Sequence, residues 1–184
     1  MSKFWSNDLE TGYYDKILVK GLKKNRGIQA NWHNITFERI KKYLSKEIEH
    51  LDYACGSGSL IGLYSSANST GIDISSKQVK YASKKYGDRG DFYKLEEFEF
   101  DNKEEKYDII TVIGLVEFLN QDENLQVINK LHKILKPSGT LILTTPNFNT
   151  SMYVLDVIVN FFGPVSYKSE HLSKFNEKKL RNLL

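Results

Sequence analysis

Hydrophobic positions along the chain fall into two alternating rhythms. Short runs of branched and aromatic residues at 51–55, 70–74, 92–95, 107–113 and 140–145 have the length and density of buried strands. Between them, apolar residues recur at helical spacing. Phe37, Ile40, Leu44 and Ile48 share one face, Val79, Ala82 and Tyr86 a second, and Leu125, Ile128, Leu131 and Leu135 a third. Ser75 is placed to cap the second helix, and Pro137 with Gly139 to stop the third. This alternation predicts an α/β fold, a Rossmann-like, mostly parallel sheet flanked by helices, with right-handed crossovers. Such sheets bind ligands beyond the carboxyl ends of their strands, where strand order reverses. Chemistry is therefore expected just after Cys55, Ile74, Leu95, Ile113 and Thr145.

The flanks read differently. Residues 1–34 mix polar positions with Phe4, Trp5, Tyr13, Tyr14, Trp32 and His33, the pattern of an aromatic cap rather than of a sheet. The spacing predicts a helix over 148–162, then a Gly163-Pro164 break, then a last helix capped by Asn176 and running to Leu184. The 184 residues thus predict one domain: a cap at 1–34, a core at 35–147 and a C-terminal segment at 148–184 on the substrate side.

Composition narrows the class. The chain is 40% apolar and 27% charged, which suits a globular domain. Its formal net charge is only +3 and its lysines lie among glutamates, so no basic block marks it as a nucleic-acid binder. The single Cys55 allows no internal disulfide and no cysteine metal set, so a reducing cytoplasm is expected and no metal. The first residues lack an apolar signal core, and the apolar stretch at 153–162 is too short to span a bilayer.

The strongest chemical signal is Leu51-Asp52-Tyr53-Ala54-Cys55-Gly56-Ser57-Gly58-Ser59-Leu60: a strand, a glycine-rich turn, then a helix. Glycines here serve tight turns and let a ligand approach the backbone. A dinucleotide fingerprint would need its third glycine at Ile61, but the glycine is Gly62, so a nicotinamide cofactor is disfavoured. In Gly71-Ile72-Asp73-Ile74-Ser75 an acid ends the second strand, at the distance from the turn where nucleoside-binding sheets keep their ribose carboxylate. Asp73 could instead cap the next helix; with the glycine turn upstream, ribose binding is the reading preferred.

Taken together, the motifs resemble class I S-adenosylmethionine (SAM)-dependent methyltransferases. The 51–58 turn resembles their first motif, 71–75 their second-strand motif, 107–119 their fourth-strand motif, and 131–141 the helix, turn and strand that follow. The resemblance covers residues 50–147, in order and with the right gaps. It implies SAM as cofactor and S-adenosylhomocysteine (SAH) as product. The cofactor set it implies is Asp52, Ala54, Cys55, Gly56, Gly58, Asp73, Ile74, Leu95, Glu96, Ile113 and Gly114. Within it, Gly56 and Gly58 would face the methionine part, Asp73 the ribose, Ile74 and Leu95-Glu96 the adenine, and Ile113-Gly114 the flank of the cofactor. The sequence departs from the family at Lys94-Leu95, where an acid is common, and at Phe118, where a histidine is common. The family normally continues with two further strands, so C-terminal strands are expected to be missing from this chain.

Tyr13, Tyr14, Trp32 and His171 resemble the substrate side of methyltransferases that modify quinone precursors and sugar or lipid-linked metabolites. The implied reaction is O- or C-methylation of a small molecule by in-line displacement, resting on proximity. A base matters only where the acceptor must lose a proton. His33, beside Trp32, is the candidate, with packing as its alternative role; His50 and His132 are expected on helices as structural residues. A non-catalytic SAM-binding module is the alternative function.

Overall fold

The structure is a computed structural model that describes residues 9–149 and 170–184. Its sheet has five parallel strands in the order β3-β2-β1-β4-β5: β1 (Glu49–Tyr53), β2 (Asn68–Asp73), β3 (Asp91–Lys94), β4 (Tyr107–Ile113) and β5 (Leu135–Thr144). The order reverses between β1 and β4, which opens a crevice at their carboxyl ends. The Rossmann-like architecture is as expected.

Strand alternation sends the two sides of β1 to different layers. Leu51 and Tyr53, with Ile72, Ile110 and Val112, meet Leu131 and Ile134 of α5 (Gln121–Ile134). On the other face Ile109 packs with Phe37 and Ile40 of α2 (Ile28–Lys41) and Leu60 of α3 (Ser59–Leu63). Val79, Ala82 and Tyr86 of α4 (Ser76–Tyr86) close against Ile61 and Phe92. Ahead of them α1 (Tyr13–Lys24) pairs with α2 as a helical hairpin, Gly21 lying so close to Ala30 that a Cβ there would meet the alanine methyl at 2.1 Å. The cap is thus helical, and α2 runs through position 34 into the core.

Several sequence expectations change in detail. His50 is a β1 residue, not a helical one, and sits fully buried in a polar chain across three strands. Thr111 donates to Asp52 Oδ1 at 2.7 Å, so its hydroxyl accepts from His50 Nε2 at 3.0 Å, and His50 Nδ1 accepts from Ser69 at 3.0 Å. Burial holds the His50 imidazole down to about 3, so it is neutral. The buried face of α5 carries Asn124, Leu131 and Ile134, with Val127 packed alongside, whereas Leu125 is exposed. The reason is Asn124, whose amide donates to the carbonyls of Val116, Leu119 and Asn120 and so turns that side inward. Leu135 begins β5 directly after α5, with a register irregularity before Thr140 spanning the expected helix stop. Ser75 stands at the N-cap of α4 without a side-chain cap bond; Asp73 accepts the Ser75 N–H instead. The last helix, α6 (Glu177–Arg181), is capped by Asn176 as expected but ends earlier. Of the helix expected at 148–162, Phe148 and Asn149 are not helical, and the rest lies outside the described residues, as do Phe4 and Trp5.

Candidate active site

Two turns flank the crevice. After β1, the backbone takes positive φ at Ala54 (63°), Gly56 (52°) and Gly58 (74°), then enters α3; after β4, Gly114 does so at 62°. The two outer glycines face open space. A Cβ on Gly56 would find nothing nearer than the Tyr14 ring at 3.9 Å, and one on Gly114 only Glu117 Oε1 at 3.6 Å and Trp32 at 3.8 Å. Gly58 differs: its Cα is pressed toward Phe92 and Ala82, where a Cβ would meet atoms at 2.7 and 2.9 Å. It lets α3 pack on the sheet. Gly62, one position too late for a dinucleotide fingerprint, lies against the Tyr86 ring at a notional 2.2 Å.

Asp73 ties the first turn to the next helix. Its Oδ2 accepts the Gly56 N–H at 2.9 Å and its Oδ1 the Ser75 N–H at 2.8 Å. It steadies the loop ahead of α4, and a carboxylate keeps lone pairs beyond these two bonds. Burial raises its pKa, and the two N–H groups oppose that rise. Asp52 is buried below the turn, bonded to Thr111 rather than facing the crevice; burial, with the Asp73 charge adding to it, pushes it up to about 7. Cys55 packs against Ile61, Val79, Ala82, Tyr86 and Phe92, and burial drives its thiol pKa well up, which suits packing and not nucleophilic chemistry. Ile74 follows Asp73 and is half-buried, as are Ile113 and Gly114. Leu95 begins a short 3₁₀ turn and packs on the same core as Ala54, while Glu96 is exposed and paired with Lys94 at 2.7 Å.

The cap bridges the two turns through rings. Tyr14 lies over Gly56, His33 stacks edge-on with Tyr14 at 5.6 Å and with Trp32 at 4.8 Å, and Trp32 reaches Gly114. Tyr13 is buried behind, 5.2 Å from Tyr14. Both His33 ring nitrogens are buried without a hydrogen-bond partner among the described residues, and burial lowers its pKa to about 4. His171 lies between rings of Phe118 (5.0 Å) and Phe148 (5.5 Å), on the β4–β5 side. Polar bonds fix the cap in place. Asp15 of α1, fully buried, accepts from Ser59, Tyr81, Tyr86 and Lys85. The Gln78 amide oxygen accepts both Gly12 N–H (2.9 Å) and the turn residue Ser57 (3.0 Å).

Sequence reasoning missed Glu117. It is 3% exposed, sits at the Gly114 turn, leaves Oε2 without a partner among the described residues, and burial raises its carboxyl to about 7. It lay inside the fourth-strand motif; nothing in the sequence showed that its side chain turns inward.

Against known proteins, a methyltransferase-domain family matches residues 51–143. No curated protein matches the chain. Solved structures share its fold. Magnesium protoporphyrin IX methyltransferase from Synechocystis PCC 6803, with bound SAH, is 19% identical with TM-score 0.63, covering 94% of this chain and 84% of its own. A SAM-dependent methyltransferase from Archaeoglobus fulgidus is 17% identical with TM-score 0.62, over 82% of this chain and 66% of its own. The YcgJ protein from Bacillus subtilis is 18% identical with TM-score 0.62 and the same coverages. The chain thus spans 66% of the length of the latter two.

Proposed function

Because this chain belongs to the methyltransferase-domain family, we propose that it transfers a methyl group to the oxygen or activated carbon of a small, largely apolar acceptor bound under the cap. Its cofactor is SAM, which supplies a sulfonium-bound methyl group and leaves as SAH. The observation that carries the reading is the pairing of two open glycine turns at the strand-order reversal with Asp73 fastened to the first of them.

In this reading the Gly56 backbone receives the methionine part and Asp73 the ribose. Ile74 with Leu95 and Glu96 borders the adenine, and Ile113 and Gly114 border the transferring methyl. Asp52, Ala54 and Cys55 act from beneath, shaping the turn. Tyr14 and Trp32 exclude water, and their ring faces suit a sulfonium cation. Phe118, Phe148 and His171 form the acceptor's apolar wall.

Methylation at oxygen or carbon releases a proton. The structure alters the choice of base for it. An imidazole held near 4 takes a proton poorly, whereas a carboxyl held near 7 is matched to the task. Glu117 is assigned the proton and neutral His33 the role of hydrogen-bond acceptor that orients the acceptor group. The test is isothermal titration with SAH and NAD, followed by a methyl-transfer screen of phenols, quinols and activated-methylene compounds. SAH binding with transfer supports the reading. NAD binding without SAH binding contradicts it, and SAH binding with no transfer to any compound favours the non-catalytic module.

A further inference from the structure

The α1–α2 hairpin presents a surface that meets the cleft at Trp32 and otherwise lies outside the core. From Lys16 to Lys42 the chain carries eight Lys or Arg and one acid, Glu38. The whole chain's net charge is +3, so the remainder is acidic on balance. The excess lies within one stretch of the sequence, which corrects the reading that the chain has no basic block. Lys20, Lys23 and Lys24 line a groove of about 310 Å³ with Lys16, which pairs with Glu10, and Lys85 of α4, which pairs with Asp15 at the groove's wall. Arg26 is exposed in the turn that follows.

Apolar residues are exposed on the same hairpin. Leu22 is 44% exposed, and on α2 Ile28, Trp32 and Ile35 form one stripe at helical spacing, 76%, 39% and 45% exposed. Aliphatic and Trp side chains along one stripe, on a hairpin that also carries the excess cations, are the marks of a helix lying in a membrane interface. A nucleic acid would meet the cations and leave Ile28 and Ile35 uncovered. An anionic bilayer meets both, with headgroup charge for the lysines and acyl carbon for the isoleucines. The stripe also leads to the cleft, because Trp32 reaches the Gly114 turn.

We infer that the α1–α2 hairpin docks the protein on an anionic bilayer, and that the acceptor is a membrane-dissolved molecule taken up beside Trp32. The uptake rests on the methyl-transfer reading above; the docking does not. The test is co-sedimentation of the full chain at low salt with phosphatidylcholine vesicles and with phosphatidylcholine–phosphatidylglycerol vesicles, alongside duplex and single-stranded RNA. The wild type binds the anionic vesicles well above the neutral ones. Each surface cation is worth roughly a factor of five at such a surface. Lys23→Glu/Lys24→Glu/Arg26→Glu therefore binds at least about 100-fold less, and Ile28→Ser/Ile35→Ser also loses binding. SAH affinity is unchanged in both variants, since none of these residues touches the cleft. Should the charge-reversed chain lose SAH affinity, the Lys→Gln and Arg→Gln versions, which keep the apolar stems, replace it. Wild type that stays in the supernatant overturns the proposal, as do variants that sediment like wild type. Binding to RNA with none to vesicles overturns it in favour of a nucleic-acid partner. Vesicle binding by a chain that fails to bind SAH leaves the docking intact and removes the methyl-transfer reading.

Discussion

Replacing Asp15 by alanine tests how the cap is held over the cleft. Asp15 accepts from Ser59 at 3.0 Å, Tyr81 at 2.8 Å, Tyr86 at 2.5 Å and the Lys85 ammonium. The Ser59 and Tyr86 donors are buried, and each costs about 1–3 kcal/mol when stranded. Lys85 is partly exposed and regains water, so its loss counts for less. The sum is about 2–6 kcal/mol, which brackets the usual cost of removing one partner from a buried charge pair. Set against a total stability of about 5–15 kcal/mol, that is enough to release α1 before the sheet unfolds. Urea titration followed by circular dichroism should show the loss, and amide exchange should speed up in α1 and around Tyr14. Asp15→Asn keeps the shape and loses the charge, so it falls between wild type and alanine. Burial opposes ionisation of Asp15, but its four donors hold the carboxyl below the usual range. Its contribution is therefore present above the ordinary carboxylate pKa and lost as pH falls through the lower native value. A stability change under about 1 kcal/mol with unchanged exchange in α1 would refute this account of the cap.

Thr111→Val strands Asp52 and His50 in the sheet and should cost about 2 kcal/mol in urea titrations; a neutral result would mean the polar chain is dispensable. Asp52, raised to about 7, binds protons in the native state that the unfolded chain releases, so its effect is to lower stability as pH rises from about 4 to about 7. That downward slope should shrink in Asp52→Asn, the buried Glu117 carboxyl, also raised to about 7, supplying the remainder. Glu117→Gln should lower kcat by about 10²–10⁴ and abolish the rise of kcat/KM through about pH 7, with SAH affinity retained; an unchanged pH profile would remove Glu117 from the chemistry. Gly62→Ala drives a methyl into the Tyr86 ring and should cost about 1–3 kcal/mol without a direct contact to ligand, measurable as a drop in Tm.

The layered sheet was readable because buried parallel strands must be continuous apolar runs and their crossovers amphipathic, so the period of the chain names the elements. The glycine turn and Asp73 were readable for a similar reason: positive φ and a strand-end acid are properties of single residues. What stayed hidden depends on three-dimensional partners. Asn124 turned the predicted face of α5 because three carbonyls waited there, and no periodicity encodes them. Asp15 looked like any polar residue of a cap, yet its four donors come from α3 and α4. Gly58 and Gly114 look alike in sequence, and only packing shows one pressed on Phe92 and the other open. The cation-rich hairpin was legible as a stretch, eight Lys or Arg to one acid over 16–42, and was hidden only by glutamates elsewhere that nearly balance the total.

Calorimetric titration of SAH into wild type and Asp73→Ala bears most directly on the central claim. The account predicts saturable one-site binding by the wild type and at least about tenfold weaker binding by the variant, one charged hydrogen bond being worth about 1.5–3 kcal/mol. Equal affinities, or no heat from the wild type at all, would contradict it.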